Sequence, residues 1–247
     1  MSNSNSTNEP EPDLPNDLIT DPSSSHSTKL IRLAIAHDIL RFGDFTLKSG
    51  RSSPYFYNAG LYNSGLLLNA IGLSYAMKII SLRSTLQFDV IFGPAYKGIP
   101  LATITAVELA RLDPITYGSI GVAYNRKEAK THGEGGEIVG VPLKGKRVLI
   151  LDDVITAGTA IRQSIDLIQK HEGTFIGVIV NLDRQEKAPD SELSAIQLVE
   201  ADYGIRVYPV ISLTDIITAM KASGDLNAHL ESMENYRRQW GINQIQT

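Results

Sequence analysis

Two adjacent carboxylates, Asp152 and Asp153, close an otherwise apolar run in the segment VLILDDVITAGTA, residues 148–160. Thr156, Ala157, Gly158 and Thr159 follow and open what reads as a helix. Small residues let successive backbone N–H groups turn toward one point, threonine hydroxyls add donors, and a helix start favours negative charge. The loop therefore suits a phosphate monoester. The carboxylates cannot hold that phosphate, but they can accept hydrogen bonds from neighbouring hydroxyls or reach a magnesium ion. A phosphorylated sugar satisfies both halves. The plain alternative is an acidic helix cap before a Thr/Gly turn, for which two acids ending a buried strand would be unusual. A second phosphate-like stretch, Gly140 to Lys146 (GVPLKGK), approaches a Walker A loop. It places Arg147 where a magnesium-holding Ser or Thr is needed and precedes a strand, so it reads as a turn.

Bases are clustered in two places. Arg126, Lys127, Lys130 and His132 lie within seven residues and lead into Gly133, Gly135 and Gly136. Such a run is either a solvated surface turn or a lid able to close over a polyanion. Tyr96-Lys97-Gly98 follows the apolar FDVIFGPA, and Gly93 and Gly98 would allow a ligand close to the backbone, which suits a diphosphate. Lys48 and Arg51 precede SSPYFY (52–57), which reads as an edge strand with a core aromatic cluster that includes Tyr55. Arg184 ends NLDR with a planar fork suited to a carboxylate, while Asp183 reads as structural.

The elements that must carry these groups follow from periodicity. Phe88–Gly93, Arg147–Asp153 and Phe175–Asp183 are short β-branched runs bounded by turn residues, and Arg206–Ser212 is a weaker one. Ile161, Ile165 and Ile168 recur on one helical face before Gly173, giving strand, loop, helix, strand. That unit implies parallel strands with right-handed crossovers, and an open α/β sheet whose ligands sit beyond the carboxyl ends of its strands. Further helices are expected from Lys29 through Leu40 and Arg41, over 66–80, over 213–222 and over 227–240.

Composition narrows the classes. The chain has 247 residues, 43% of them hydrophobic, and no cysteine, which removes disulfides, thiolate nucleophiles and Cys-ligated metal. No uninterrupted apolar run is long enough to span a membrane. Residues 1–28 are rich in Ser, Asn and Pro and hold five of the 27 acids but no Lys or Arg, which reads as a disordered leader without secretory or mitochondrial character. Residues 29–247 are then near neutral, with no nucleic-acid footprint, and a cytoplasmic location is expected.

The acidic-pair loop resembles the phosphoribosyl-pyrophosphate signature of the type I phosphoribosyltransferases. Together with FGDFTLKSGRSSPYFYNAG (42–60), IFGPAYKGIPLA (91–102), YNRKEAKTHGEGG (124–136) and NLDRQE (181–186), it resembles the orotate phosphoribosyltransferases over about residues 29–240. The leader has no counterpart there, and Tyr57 stands where many members carry a second Phe. The resemblance implies an open parallel-sheet type I fold with a small N-terminal hood. It also implies transfer of the 5-phosphoribosyl group from 5-phosphoribosyl 1-diphosphate to orotate with magnesium present. Lys130, His132, Asp152 and Asp153 would be catalytic. Contacts to the phosphoribosyl substrate would come from Lys48, Tyr96, Lys97, Arg126, Lys127, Lys130 and His132. Asp152, Asp153, Val154, Ile155, Thr156, Ala157, Gly158, Thr159 and Ala160 would complete them. Orotate would meet Lys48, Phe56, Tyr57, Thr156 and Arg184. A homodimer is implied, with Lys130 and His132 of the lid reaching the neighbouring subunit's site. The rivals are a purine-type phosphoribosyltransferase of the same fold and a non-catalytic sensor of the sugar phosphate. LKSGRSSPYF and Arg184 disfavour the first, and the intact set of lid bases disfavours the second.

Overall fold

A computed structural model describes residues 25–47, 49–130, 136–156, 158–224 and 226–242, with the side chains of 128–130 excepted. Six strands form the central sheet in the order β5-β4-β3-β6-β7-β8: β3 (Val90–Phe92), β4 (Gly121–Lys130), β5 (Gly136–Gly140), β6 (Arg147–Asp152), β7 (Thr174–Asp183) and β8 (Val207–Ser212). All neighbours pair in parallel except β4 with β5. The chain leaves β3 toward β4 on one side and returns to β6 on the other. Their carboxyl ends therefore flank a topological switch point, where the connecting loops diverge and leave a crevice.

Strand alternation divides the buried side chains between two faces. Leu149, Leu151 and Ile179 face a core shared with α2 (Gly65–Ser81), α3 (Gly98–Leu112) and α7 (Leu213–Ser223). Val148, Ile150, Val178 and Val180 face α5 (Thr159–Lys170) and α6 (Ala195–Tyr203). Ile161, Ile165 and Ile168 are the buried stripe of α5, each at most 1% exposed, as their spacing required. A short α4 (Pro114–Tyr117) links α3 to β4.

The expected hood is present. Helix α1 (His26–Ala36) and the antiparallel hairpin of β1 (Leu40–Thr46) and β2 (Ser52–Tyr57) cover one end of the sheet, and Leu30 and Ile31 of α1 join the same core as Leu149. Helix α8 (Asn227–Trp240) packs on β2.

Two expectations are corrected and a third gains detail. The first helix does not run to Arg41, because Asp38 takes a left-handed backbone (φ 57°) and Leu40 already pairs with Tyr57. The expected leader overlaps the fold at its end: Ser25 caps α1 through the Thr28 N–H, so residues 26–28 are helical. Residues 1–24 lie outside the described set. The basic stretch, read from sequence as a turn or lid, begins within β4, which reaches Lys130 and pairs with β5 across the undescribed 131–135 with a shift of register between Asn125 and Lys130. The GVPLKGK stretch is a turn as expected, closed by the Lys146 N–H on the Leu143 carbonyl at 2.9 Å.

Candidate active site

The site is built from the two loops that leave β3 and β6. Gly93 and Gly98 bracket the first, and both must lack a side chain. A Cβ on Gly93 would lie 2.2 Å from the Gly98 carbonyl oxygen, and one on Gly98 would lie 2.9 Å from the Leu151 carbonyl oxygen. The β3–α3 loop is thus packed against the strand that ends in the acidic pair. On its other side, the Ala95 N–H donates to Asn125 Oδ1 at 2.8 Å. Lys127, two residues along β4 and on the same face, lays its ammonium 5.0 Å from the centroid of the exposed Tyr96 ring. Arg126 alternates to the other face, where its Nε is buried with no hydrogen-bond partner.

The second loop starts from a fixed backbone. Tyr75, fully buried on α2, donates its hydroxyl to the Asp152 carbonyl at 2.7 Å. The Asp153 carbonyl accepts from the Asn181 and Leu182 N–H groups at 2.9 and 3.2 Å. The side chains then diverge. Asp152 accepts from the Asp153 N–H, is 9% exposed, and is pushed up to about 7 by burial and then by the neighbouring Asp153 charge. Asp153 points outward to Lys97, whose Nζ lies 2.7 Å from Oδ2. Lys97 is more than half exposed, so the ammonium faces the crevice as well as the carboxylate.

Beyond the pair, Thr156, Thr159 and Ala160 are exposed, while Val154 is half-buried and Ile155 buried. Gly158 begins α5 in the left-handed region at φ 73°, and no side chain caps the helix. The first N–H groups of α5 therefore remain available to an anion. Gly158 is required there by its φ, a conformation that side chains rarely adopt.

The base-recognition candidates separate. Arg184 is largely buried past the end of β7, its Nε donating to Glu186 Oε1 at 2.9 Å and its guanidinium 4.9 Å from the Tyr55 ring centroid. Its Nη2 is buried without a hydrogen-bond partner. Tyr55 is fully buried, as its core reading expected. Tyr57 points into the same interior, its hydroxyl donating to Asn181 Oδ1 and lying 3.0 Å from the Tyr62 hydroxyl. Phe56 alternates to the other hairpin face, packing on Phe45 at 5.6 Å beneath the Arg41 guanidinium. The structure thus does not bring Phe56 together with Arg184. Asp183 accepts the Gln185 N–H at 2.8 Å, which agrees with a structural role.

Lys48, His132 and Ala157, and the side chain of Lys130, lie outside the described residues. Tyr75, Asn125, Asn181 and Glu186 were not legible as site-building residues. A tyrosine in a buried helix reads as core, and nothing in YNRKEAK marks Asn125 as the acceptor for an N–H thirty residues earlier.

Comparison with known proteins agrees with this architecture. The family model described as "Phosphoribosyl transferase domain" matches residues 69–210. The orotate phosphoribosyltransferase of Photorhabdus laumondii is 51% identical over 218 residues, which is 88% of this chain and 99% of that protein. That of Vibrio cholerae shows the same identity and coverage. The crystal structure of the Francisella tularensis orotate phosphoribosyltransferase superposes with a TM-score of 0.75 at 38% identity, covering 86% of this chain and 99% of that one. Likeness of this degree over most of the chain means that it belongs to the orotate phosphoribosyltransferases, within the phosphoribosyl transferase domain family.

Proposed function

We infer that the protein transfers the 5-phosphoribosyl group from 5-phosphoribosyl 1-diphosphate to orotate, giving orotidine 5′-monophosphate and diphosphate, a step of pyrimidine synthesis. The observation that carries this reading within the site is the pairing of Lys97 with Asp153 across the switch point, beside a helix start with no side-chain cap. One side of the crevice offers positive charge, the other carboxylates and free N–H groups. A sugar with a phosphate at one end, hydroxyls in the middle and a diphosphate at the other matches that order.

The uncapped start of α5, with Thr156 and Thr159, anchors the 5′-phosphate, and Asp152 and Asp153 grip the ribose hydroxyls. Lys97, Lys127 and the lid bases Lys130 and His132 offset charge on the departing diphosphate. The orotate ring nitrogen attacks the anomeric carbon as the diphosphate bond breaks, with oxocarbenium character and inversion, so no covalent nucleophile is required. Placement and charge carry catalysis, and the remote phosphate anchor supplies binding energy for the distorted sugar. Arg184 receives the orotate carboxylate on its unpartnered Nη2, and the Tyr57 ring lies beside the base while its hydroxyl stays on Asn181.

Magnesium suits the oxygen donors of the acidic pair, and among the described residues no group of three or more His, Cys, Asp and Glu could hold a metal by itself. Substrate diphosphate and ribose oxygens would supply the remaining ligands, and the ion would neutralise diphosphate charge. A homodimer with a shared lid and a cytoplasmic location complete the proposal. Among the described residues no helix is long and apolar enough to cross a membrane.

The test is orotate consumption by purified protein, which should require both 5-phosphoribosyl 1-diphosphate and magnesium. Activity with adenine or hypoxanthine but not orotate would overturn the acceptor assignment.

A further inference from the structure

We propose that Glu186 is a positioning residue for orotate selection, holding Arg184 so that one edge of its guanidinium is reserved for the substrate carboxylate. The inference rests on the assignment of Arg184 to that carboxylate.

Arg184 and Glu186 flank Gln185, whose left-handed backbone (φ 54°) turns the chain between them. A single bond joins them, from Nε to Oε1 at 2.9 Å. Glu186 does not saturate its partner, since Nη2 is buried and has no hydrogen-bond partner. A buried guanidinium nitrogen left unpaired is costly unless a ligand completes it. Tyr55 fixes both members at once, with its hydroxyl donating to Glu186 Oε1 at 3.2 Å and its ring beneath the guanidinium at 4.9 Å. Tyr236 meets Tyr55 edge to face at 6.2 Å, and burial with the Glu186 charge pushes its hydroxyl up to about 12.

The backbone is equally constrained. Glu186 bridges to Gly241, the Lys187 N–H donates to the Trp240 carbonyl at 2.9 Å, and the Ile242 N–H donates to the Gln185 carbonyl at 3.0 Å. The carboxylate is therefore anchored before substrate arrives, and rotation of Arg184 about its last torsions is stopped at one end. An arginine so held presents its fork pre-oriented, and the incoming carboxylate does not bear the cost of ordering a long side chain.

The opposite arrangement is a Glu186 that competes with substrate for Arg184, and kinetics separate the two. Glu186→Gln should raise the KM for orotate about tenfold, the size expected for losing one charge-assisted orienting bond, and leave the KM for 5-phosphoribosyl 1-diphosphate within about twofold. Glu186→Asp should recover part of the loss. Arg184→Gln with Glu186→Gln should be no worse than Arg184→Gln alone, because Glu186 acts through Arg184. Tyr55→Phe removes the second hydrogen bond to Oε1 while keeping the ring, and should raise only the orotate KM, by about threefold; it decides the matter if Glu186→Gln does not fold. An unchanged or lowered orotate KM in Glu186→Gln, an equal rise in both KM values, or additivity in the double variant would overturn the positioning role. An unchanged orotate KM in Arg184→Gln itself would instead overturn the carboxylate assignment beneath it.

Discussion

Lys97 and Asp153, 56 residues apart, join the ends of two parallel strands through a single 2.7 Å ion pair. The proposed diphosphate must therefore draw on a lysine that Asp153 already orients. Because the lysine is more than half exposed, the pair itself contributes at most about 1 kcal/mol to stability. Lys97→Met should therefore raise the KM for 5-phosphoribosyl 1-diphosphate by about tenfold or more while moving the melting temperature by only about 2 °C. Steady-state kinetics beside thermal unfolding checks the separation.

Asp152 gives a pH dependence with a definite sign. Its folded value, about 7, lies above that of the free side chain, so the folded state binds the extra proton between about pH 4 and 7. Stability associated with this group is highest below that window and falls as pH rises through it, by about 2–3 kcal/mol between pH 5 and 8. Denaturant titrations at the two pH values should show the fall, and Asp152→Asn should flatten it. A carboxylate needed to accept from ribose hydroxyls also predicts activity that rises as pH approaches and passes 7.

Gly98→Ala tests the packing of the β3–α3 loop. The new methyl would meet Pro94 Cδ at 2.6 Å and the Gly93 carbonyl carbon at 2.8 Å, neither of which can swing away as a flexible side chain would. A loss of about 2–3 kcal/mol in unfolding free energy is expected, together with weakened 5-phosphoribosyl 1-diphosphate binding in the protein that does fold. Gly145→Ala provides a contrast, with φ 70° and no atom within 4 Å of the added carbon. It should cost only the backbone strain, on the order of 1 kcal/mol, and leave binding unchanged.

The shared lid is tested by complementation. Lys130→Ala should lower turnover far more than stability, and so should Asp153→Asn. Mixing the two inactive proteins with subunit exchange confirmed should restore part of the activity, because one site of each mixed dimer then has an intact acidic pair and an intact lid lysine. No recovery in exchanged dimers would count against a lid contributed by the partner.

The sheet was legible where burial is two-sided. VLILD and FIGVIVNL have apolar side chains on both faces because helices cover both, and such runs read as strands without any context. β4 was missed for the converse reason. Only β5 stands beyond it, and YNRKEAK carries the polar groups that the crevice requires, so composition pointed to a turn. The α1–β1 boundary was missed because Leu40 continues the helical spacing, and a left-handed Asp38 leaves no mark in composition. Within the site, Asp152, Asp153, Lys97 and Arg184 were found by charge placed beside apolar strands. Tyr75, Asn125, Asn181 and Glu186 act on main-chain groups or on other side chains, and those pairings exist only after the sheet has formed.

The packing of α8 against the hood also orders events in time. Phe42 stacks on His229 at 5.5 Å, Tyr55 meets Tyr236, and the Arg51 guanidinium lies 4.5 Å from the Trp240 ring centroid. Early residues of the chain are thus paired with some of its latest. On a ribosome, β1 and β2 emerge long before α8, so their aromatic undersides wait uncovered while the 169 residues between Tyr57 and Asn227 are made. The sugar-phosphate half of the site can assemble from contiguous strand–loop–helix units during that interval. The acceptor half closes last, which makes it the part most exposed to misfolding in the nascent protein.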